Sequence, residues 1–200
     1  LYPSHESWVA NTFDRLVGWG FNTRGAWSDA VADPRLPLIP ELDLGRNAKL
    51  HWFDLFDPAA LDTTRRQAAL LLAPFQGRDD LLGVFTDNEV GWWNSPLFLW
   101  YLRQPFDNFT KQELWKLLRH WYRDDWSALE RDWVPGAGVT SFEGLKPAGA
   151  ELKLRAGGRG ILLIDAFLYR VARRYYSLVQ CAVREVAPDT LIVGDRLPLY

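Results

Sequence analysis

Short apolar runs that end in polar residues alternate along this chain with longer segments of helical periodicity. The clearest run covers residues 81–89 and ends in Thr86-Asp87-Asn88-Glu89. Three further runs that read as short strands lie at 20–28, 37–44 and 190–196. Short apolar runs of this kind are typical of strands in a parallel sheet, whose two faces are covered by helices. The pattern therefore predicts an α/β fold.

Segments with apolar residues at helical spacing separate these runs. Ser4 is a candidate N-cap for a helix that ends near Gly18, and Asp57-Pro58 is a candidate start for a helix that runs towards Pro74. The segment 161–186 predicts a further long helix. This alternation predicts helices packed outside a parallel sheet.

The segment from Ser95 to about Gly160 interrupts the alternation. Thr110-Lys111-Gln112-Glu113 matches a capping box, and apolar and aromatic residues then follow one helical face as far as Trp133. An aromatic stripe at this spacing is more often core than ligand platform. We predict one long helix here and a mobile loop at 145–160. The chain is thus predicted to be a single unit, residues 1–200, with an insertion at about 95–160.

Composition narrows the possible partners. The 200 residues are 48% hydrophobic and carry a formal net charge of −2. Near-neutral charge removes the electrostatic attraction on which nucleic-acid affinity depends, so neither nucleic acid nor an anionic membrane is an expected partner. No run approaches the roughly 20 apolar residues that cross a bilayer. The eleven Trp, with seven Tyr and eleven Phe, modestly favour carbohydrate as a ligand, because aromatic faces stack on sugars.

The polar end of the 81–89 run is the strongest candidate for chemistry. Asp87, Asn88 and Glu89 end a predicted strand, and Trp92 and Trp93 follow. Ligands of α/β proteins bind at this end of the strands, and a glutamate in a partly apolar setting can donate a proton. The alternative is structural: the first two residues open a turn, Glu89 is a solvated carboxylate, and the tryptophans cover the strand end.

The 20–28 run also ends in polar groups, with Asn22, Arg24 and Trp27 as candidate ligand-facing residues. Taken singly, each of them is more often structural.

Other chemistries find little support in the sequence. His5, His51 and His120 are scattered, no metal-ligand spacing or nucleophile elbow occurs, and no cofactor or metal is predicted. The glycine run at 157–160 follows no strand, so it does not indicate a phosphate site. Cys181 lies in a helical pattern and is expected to be a small buried residue.

Four stretches resemble the β-agarase-like glycoside hydrolases of clan GH-A, especially the family-50 type: Gly20-Phe21-Asn22-Thr23, Phe56-Asp57-Pro58, Gly83-Val84-Phe85-Thr86-Asp87-Asn88-Glu89 with Trp92, and Val193-Gly194-Asp195-Arg196. The segment 126–145 also resembles the insertion that these enzymes carry after the fourth barrel strand. The Asp-Asn-Glu strand end is the specific part of the match.

The resemblance implies a partial (β/α)8 TIM barrel, about strands two to five, with a helical insertion after strand four. Glu89 would be the general acid/base of a retaining enzyme that cleaves β-glycosidic bonds in agarose or a related galactan, and Asn88 would position the sugar or the nucleophile. Asn22, Trp27 and Arg196 would line the sugar cleft. The resemblance also favours a secreted or periplasmic location.

In that clan the nucleophile is a second glutamate at the end of strand seven, and this chain stops after strand five. We therefore expect the chain to be an excerpt, and we predict that it is inactive when made alone. Three alternatives stay open: a carbohydrate-binding relative without catalysis, a β-galactosidase-like enzyme acting on other β-linked sugars, and an aromatic-rich α/β domain that binds no sugar.

Overall fold

The computed structural model describes residues 2–50, 52–91 and 94–197. It divides into two compact units, one of residues 1–48, 62–90 and 179–200 and the other of residues 49–61 and 91–178. The single domain expected from the sequence stays a prediction.

The described residues form seven α-helices and four strands. The helices are α1 His5–Gly18, α2 Leu44–Asn47, α3 Ala60–Leu72, α4 Asn94–Arg103, α5 Phe109–Trp121, α6 Trp126–Asp132 and α7 Gly160–Val186. The strands are β1 Gly83–Asn88, β2 Trp133–Pro135, β3 Leu152–Leu154 and β4 Leu191–Arg196. Two single turns of 3-10 helix lie at Ala73–Phe75 and Glu143–Leu145.

Parallel pairing joins all four predicted strand regions in the first unit. β1 pairs in parallel with β4, with Gly83 opposite Leu191 and Asn88 opposite Arg196. On the other side of β1, Leu38 bridges Leu81 and Glu41 bridges Phe85, and Leu38 also bridges Arg24. The order across the sheet is therefore the Arg24 segment, residues 38–41, β1 and β4, which confirms the parallel arrangement predicted from the sequence. The barrel itself stays a prediction.

The two longer strands differ in burial. Val84 of β1 is fully buried, whereas Leu191 of β4 is 54% exposed and Val193 is also exposed. β1 has paired neighbours on both sides, while β4 pairs on one side within the described residues. An apolar run thus predicted both strands, but it did not distinguish the central strand from the edge strand.

Arg24, one of the candidate ligand-facing residues, is structural, which is the more frequent role for such a residue taken singly. Its guanidinium is buried and donates from Nε to the Leu36 carbonyl oxygen at 2.7 Å and from Nη2 to Asp80 Oδ2 at 2.9 Å. Arg78 donates to both carboxylate oxygens of Asp80, at 2.8 and 2.7 Å. These hydrogen bonds, chiefly those from Arg78, lower the pKa of Asp80 to about 2. The network thus joins Arg24 to Asp80, which lies three residues before β1.

Two predicted helices are confirmed and a third begins later than expected. Ser4 caps α1 as predicted, accepting a hydrogen bond from the Ser7 N–H, and α7 spans the predicted segment. The helix expected at Asp57 begins only at Ala60, because the Asp57 carboxylate first closes a turn by accepting the Ala59 N–H at 2.7 Å. Cys181 is exposed on α7, so the expectation of burial was wrong.

The long helix expected between Thr110 and Trp133 is two helices in the second unit. Asn108, not Thr110, caps α5, and Thr110 lies inside the helix with its hydroxyl donating to Asp54 Oδ1 at 2.7 Å. Residues Arg123 and Asp124 then adopt positive φ, which ends the helix, and α6 starts after the cap residue Asp125.

The segment 145–160, expected to be a mobile loop, contains the short strand β3, which pairs with the strand that begins at Trp133. β3 pairs antiparallel with β2, and Trp133 stacks on Phe98 with ring centroids 5.2 Å apart. The Trp133 indole N–H donates to the Tyr122 hydroxyl at 2.8 Å, and that hydroxyl donates to Asp132 at 3.0 Å. In the aromatic stripe Tyr122 and Trp133 are core, as the sequence favoured, whereas Trp121 is 41% exposed. None of the helices described is long and apolar enough to span a lipid bilayer.

Candidate active site

Glu89 lies where β1 leaves the sheet, and its backbone is left-handed with φ of 53°. The Glu89 N–H donates to the Arg196 carbonyl oxygen at 2.8 Å, which fixes this turn to the end of β4. Its side chain is exposed, and its carboxylate has no hydrogen-bond partner within the described part of the chain. Asn88, the last residue of β1, is half-buried and pairs with Arg196. A left-handed glutamate costs backbone free energy, and such positions are found at functional sites.

Asp87 has a different role from its neighbour Glu89. It is buried, and its carboxylate accepts the Gly45 N–H at 2.9 and 3.0 Å and the Arg46 N–H at 3.3 Å. These N–H groups belong to the first turn of α2, so Asp87 satisfies donors at the start of that helix. These contacts are structural, but Asp87 holds the start of α2, whereas the alternative interpretation had proposed that it opens a turn.

Trp27 and Arg196 meet at the same end of the sheet. Trp27 is 70% exposed, and its indole N–H donates to Glu41 Oε2 at 3.0 Å. The Arg196 guanidinium carbon lies 4.2 Å from the centroid of the Trp27 ring. Glu41 Oε1 in turn accepts the Asp43 N–H at 2.8 Å. An exposed indole is thus held by a carboxylate at its edge and by a cation at its face.

Glu41 was missed by the sequence analysis. The only sequence signal was a carboxylate within the 37–44 run, between Pro40 and Leu42. Its bridge to Phe85 places it on the strand next to β1.

Asp195 is the second carboxyl group at this strand end. It lies opposite Asp87 on β4, and its Oδ1 accepts the Val90 N–H over a long 3.5 Å. Its Oδ2 is buried and has no hydrogen-bond partner among the described residues. Burial raises the pKa of Asp195 to about 6, and the negative charges of Glu41 and Glu89 contribute in the same direction.

The structure brings Asn88, Glu89, Trp27 and Arg196 to the carboxyl end of the parallel strands. It does not bring Asn22 there. Asn22 lies two residues before Arg24, and Arg24 is level with the start of the neighbouring strands. The side chain of Asn22 is exposed and accepts a hydrogen bond from the Thr23 hydroxyl at 3.1 Å. Trp92 and Trp93 lie outside the described residues. Among the described residues no cluster of His, Cys, Asp and Glu side chains could hold a metal ion.

This arrangement offers chemistry suited to a polyhydroxylated ligand. An exposed carboxylate can take or give a proton, an amide and a guanidinium can bond hydroxyl groups, and an exposed indole face can stack on a sugar ring.

Known sequences and known structures both resemble this chain. No family model matches the chain. The chain is 25% identical over 223 aligned positions to β-agarase A of Vibrio sp. strain JT0107, an alignment that covers 98% of this chain and 22% of the relative. The chain resembles β-agarases. The structure of an exo-β-agarase superposes with a TM-score of 0.78 at 23% identity, and covers 96% of this chain and 29% of that one. The crystal structure of the agarase AgWH50C gives a TM-score of 0.75 at 20% identity, with coverage of 98% and 31%.

The agarase-like chain therefore shares the fold of one portion of these proteins. It spans less than a third of the length of the relatives and structures it matches.

Proposed function

We propose that this agarase-like chain is part of a retaining glycoside hydrolase that cleaves β-glycosidic bonds in agarose or a related galactan. The observation that carries the proposal is the exposed Glu89 carboxylate at the carboxyl end of β1, beside Asn88, in a chain that resembles agarases over nearly its whole length. A glutamate in this place suits general acid/base catalysis.

In the proposed reaction Glu89 first donates its proton to the glycosidic oxygen as the bond to the leaving sugar breaks. A second carboxylate, about 5–5.5 Å away in retaining enzymes, attacks the anomeric carbon from the opposite face and forms a covalent glycosyl-enzyme. Glu89 then removes a proton from the water that hydrolyses this intermediate. By the family resemblance, the nucleophile is a glutamate at the end of the seventh barrel strand.

Sugar binding is assigned to the remaining groups of the strand end. The free face of Trp27 stacks on an apolar sugar face, because Arg196 occupies the other face and Glu41 holds the indole edge. Asn88 bonds a sugar hydroxyl or the nucleophile. Asn22 lies towards the other end of the strands, so its assignment to sugar binding rests on the family resemblance alone.

The proposal also assigns the four parallel segments to about strands two to five of a (β/α)8 barrel, with α4 to β3 as the insertion that follows strand four. Active sites of such barrels are built at the carboxyl ends of the strands. Support comes from the order of the segments and from the superposition on agarase structures.

The test is hydrolysis of agarose and of a panel of aryl β-glycosides by the full-length protein that contains this chain. Glu89→Gln is expected to lower kcat/KM by about 10²–10⁴-fold, most for glycosides with poor leaving groups, because these need the proton most. Asp189→Asn, which removes an exposed carboxylate before β4, is the matched control and should leave the rate unchanged. Retention is checked by following the anomeric configuration of the first product by NMR.

A Glu89→Gln variant as active as the wild type would refute the assignment of the acid/base. If the wild type binds soluble oligosaccharides but cleaves none of the panel, the chain belongs to a carbohydrate-binding protein instead. The chain of residues 1–200 alone is predicted to release no sugar.

A further inference from the structure

An open cleft in the second unit is lined by three arginines that the proposed reaction does not use. Its volume is about 320 Å³, well above the roughly 30 Å³ that one water molecule takes up in the liquid. The residues that line it are Phe56, Glu113, Arg170, Arg173, Arg174 and Ser177. All three arginines belong to α7, so the positive charge of the cleft comes from a single helix.

Helical spacing places these arginines on one face of α7. Arg173 and Arg174 follow Arg170 by three and four residues, and side chains at these spacings are neighbours on a helix surface. Arg170 and Arg173 are exposed, and Arg174 is half-buried. Like charges at this spacing repel one another and destabilise a helix. An anion bound between them would offset this repulsion.

The side chains of the described residues do not neutralise this positive charge. Glu113 is the only carboxylate among the described lining residues, and Lys116 already binds it at 2.7 Å. Arg174 donates from Nε to the Leu55 carbonyl oxygen at 3.3 Å, a neutral acceptor that holds the side chain without cancelling its charge. The cleft therefore offers cations to a ligand, and one of them is anchored in advance.

We propose that this cleft is a binding site for a tetrahedral oxyanion, a sulfate or phosphate group. A guanidinium fork donates two parallel hydrogen bonds to a pair of oxygens on such a group. A tetrahedral group offers several pairs of oxygens to several arginines, whereas a carboxylate offers one pair. The Ser177 hydroxyl donates to the Arg173 carbonyl oxygen at 2.8 Å, so the arginines alone supply the donors. The site goes beyond the proposed function, because none of its lining residues takes part in the proposed reaction.

The experiment is calorimetric titration of the full-length protein with sodium sulfate and with sodium phosphate, at an ionic strength held constant with sodium chloride. Arg173→Gln is expected to weaken the affinity by about 10- to 100-fold, because it removes charge-assisted hydrogen bonds. Glu113→Gln is expected to strengthen it by a few-fold, because it removes a negative charge from the lining. Arg131→Gln, which changes an exposed arginine of the same unit outside the cleft, is the matched control and should leave the affinity unchanged.

Two results overturn the proposal. One is a wild type that binds neither sulfate nor phosphate above the chloride background. The other is binding that Arg173→Gln and Arg131→Gln weaken equally, since this would be attraction to the general charge of the protein. Sugar cleavage does not enter either result, so failure of this proposal is distinguishable from failure of the proposed function.

A second titration distinguishes the two sources of such a group, a free ion and an ester on a polysaccharide. The ligands are agarose oligosaccharides with and without a sulfate ester. If the ester tightens binding and Arg173→Gln abolishes the difference, the cleft takes a sulfated sugar chain. If the two oligosaccharides bind alike while inorganic sulfate or phosphate still binds, the cleft takes the free ion. Melting temperatures without added oxyanion check that the variants fold, and sulfate should raise that of the wild type more than that of Arg173→Gln.

Discussion

Replacing Asp80 by Asn is expected to destabilise the parallel strands of the first unit, because it leaves a buried guanidinium without its counter-charge. The side chains of Arg24 and Asp80 are only 2% and 4% exposed. Asn keeps one acceptor oxygen but loses the charge and the second acceptor, which Arg78 also uses. Breaking a buried ion pair by removing one partner costs about 3–5 kcal/mol.

The pKa of Asp80 gives a second estimate of the same interaction. It falls from 3.8 to about 2, which corresponds to about 2 kcal/mol of stability. A carboxyl whose pKa is lowered by folding stabilises the native state above its unfolded pKa. This contribution is therefore complete above about pH 4 and is lost as the pH falls towards 2. Taken together, the two estimates predict a loss of about 2–4 kcal/mol at pH 7.

The assay is amide hydrogen exchange of β1 in the full-length protein, with urea unfolding alongside. Asp79→Asn is the matched control, since Asp79 is exposed and adjacent, and it should change the free energy of unfolding by less than about 0.5 kcal/mol. The reasoning fails if Asp80→Asn exchanges like the wild type at pH 7. It also fails if the difference in the free energy of unfolding between the wild type and Asp80→Asn does not shrink as the pH falls from 4 to 2.

Three further substitutions probe the candidate site and the second unit. Trp27→Ala is expected to weaken binding of soluble agarose oligosaccharides by about tenfold or more. The melting temperature should change little, because the side chain is 70% exposed. An unchanged affinity by calorimetry would contradict the assignment of Trp27 to sugar stacking. Gly160→Ala should cost about 1–3 kcal/mol, measured by urea unfolding, because a Cβ there would lie 2.7 Å from the Trp133 ring. Tyr122→Phe should cost about 1–3 kcal/mol, because it leaves the indole N–H of Trp133 without its acceptor; hydrogen exchange of the indole reports this directly.

The hydrophobic pattern predicted the main elements because their determinants are local. Apolar runs predicted all four parallel segments, and the spacing of apolar residues predicted α7 within one residue at its start. Capping by Ser4 was predictable for the same reason, since its partner lies three residues away. What failed depended on distant partners: Thr110 fits a capping box, but Asp54 binds its hydroxyl inside the helix.

The candidate site was predictable only in part, for a similar reason. Glu89 and Asn88 end one strand and stand out in the sequence, whereas Glu41 becomes notable only through its hydrogen bond to Trp27. Arg24 was a candidate for facing a ligand because its segment ends in polar residues, and the partner that fixes its structural role, Asp80, lies 56 residues away. Such pairings follow from the order of strands, which local patterns do not specify.

The left-handed backbone of Glu89 has a consequence for how this position tolerates change. A non-glycine residue at φ of 53° sacrifices stability that glycine or asparagine would recover. Glu89→Gly should therefore raise the folding stability of this turn while removing its carboxylate. Folding thus favours a different residue here from the one that the proposed proton transfer needs. In relatives that lack the proposed activity we expect glycine or asparagine at this position. The residue found at this position would then report whether a lineage still uses the site.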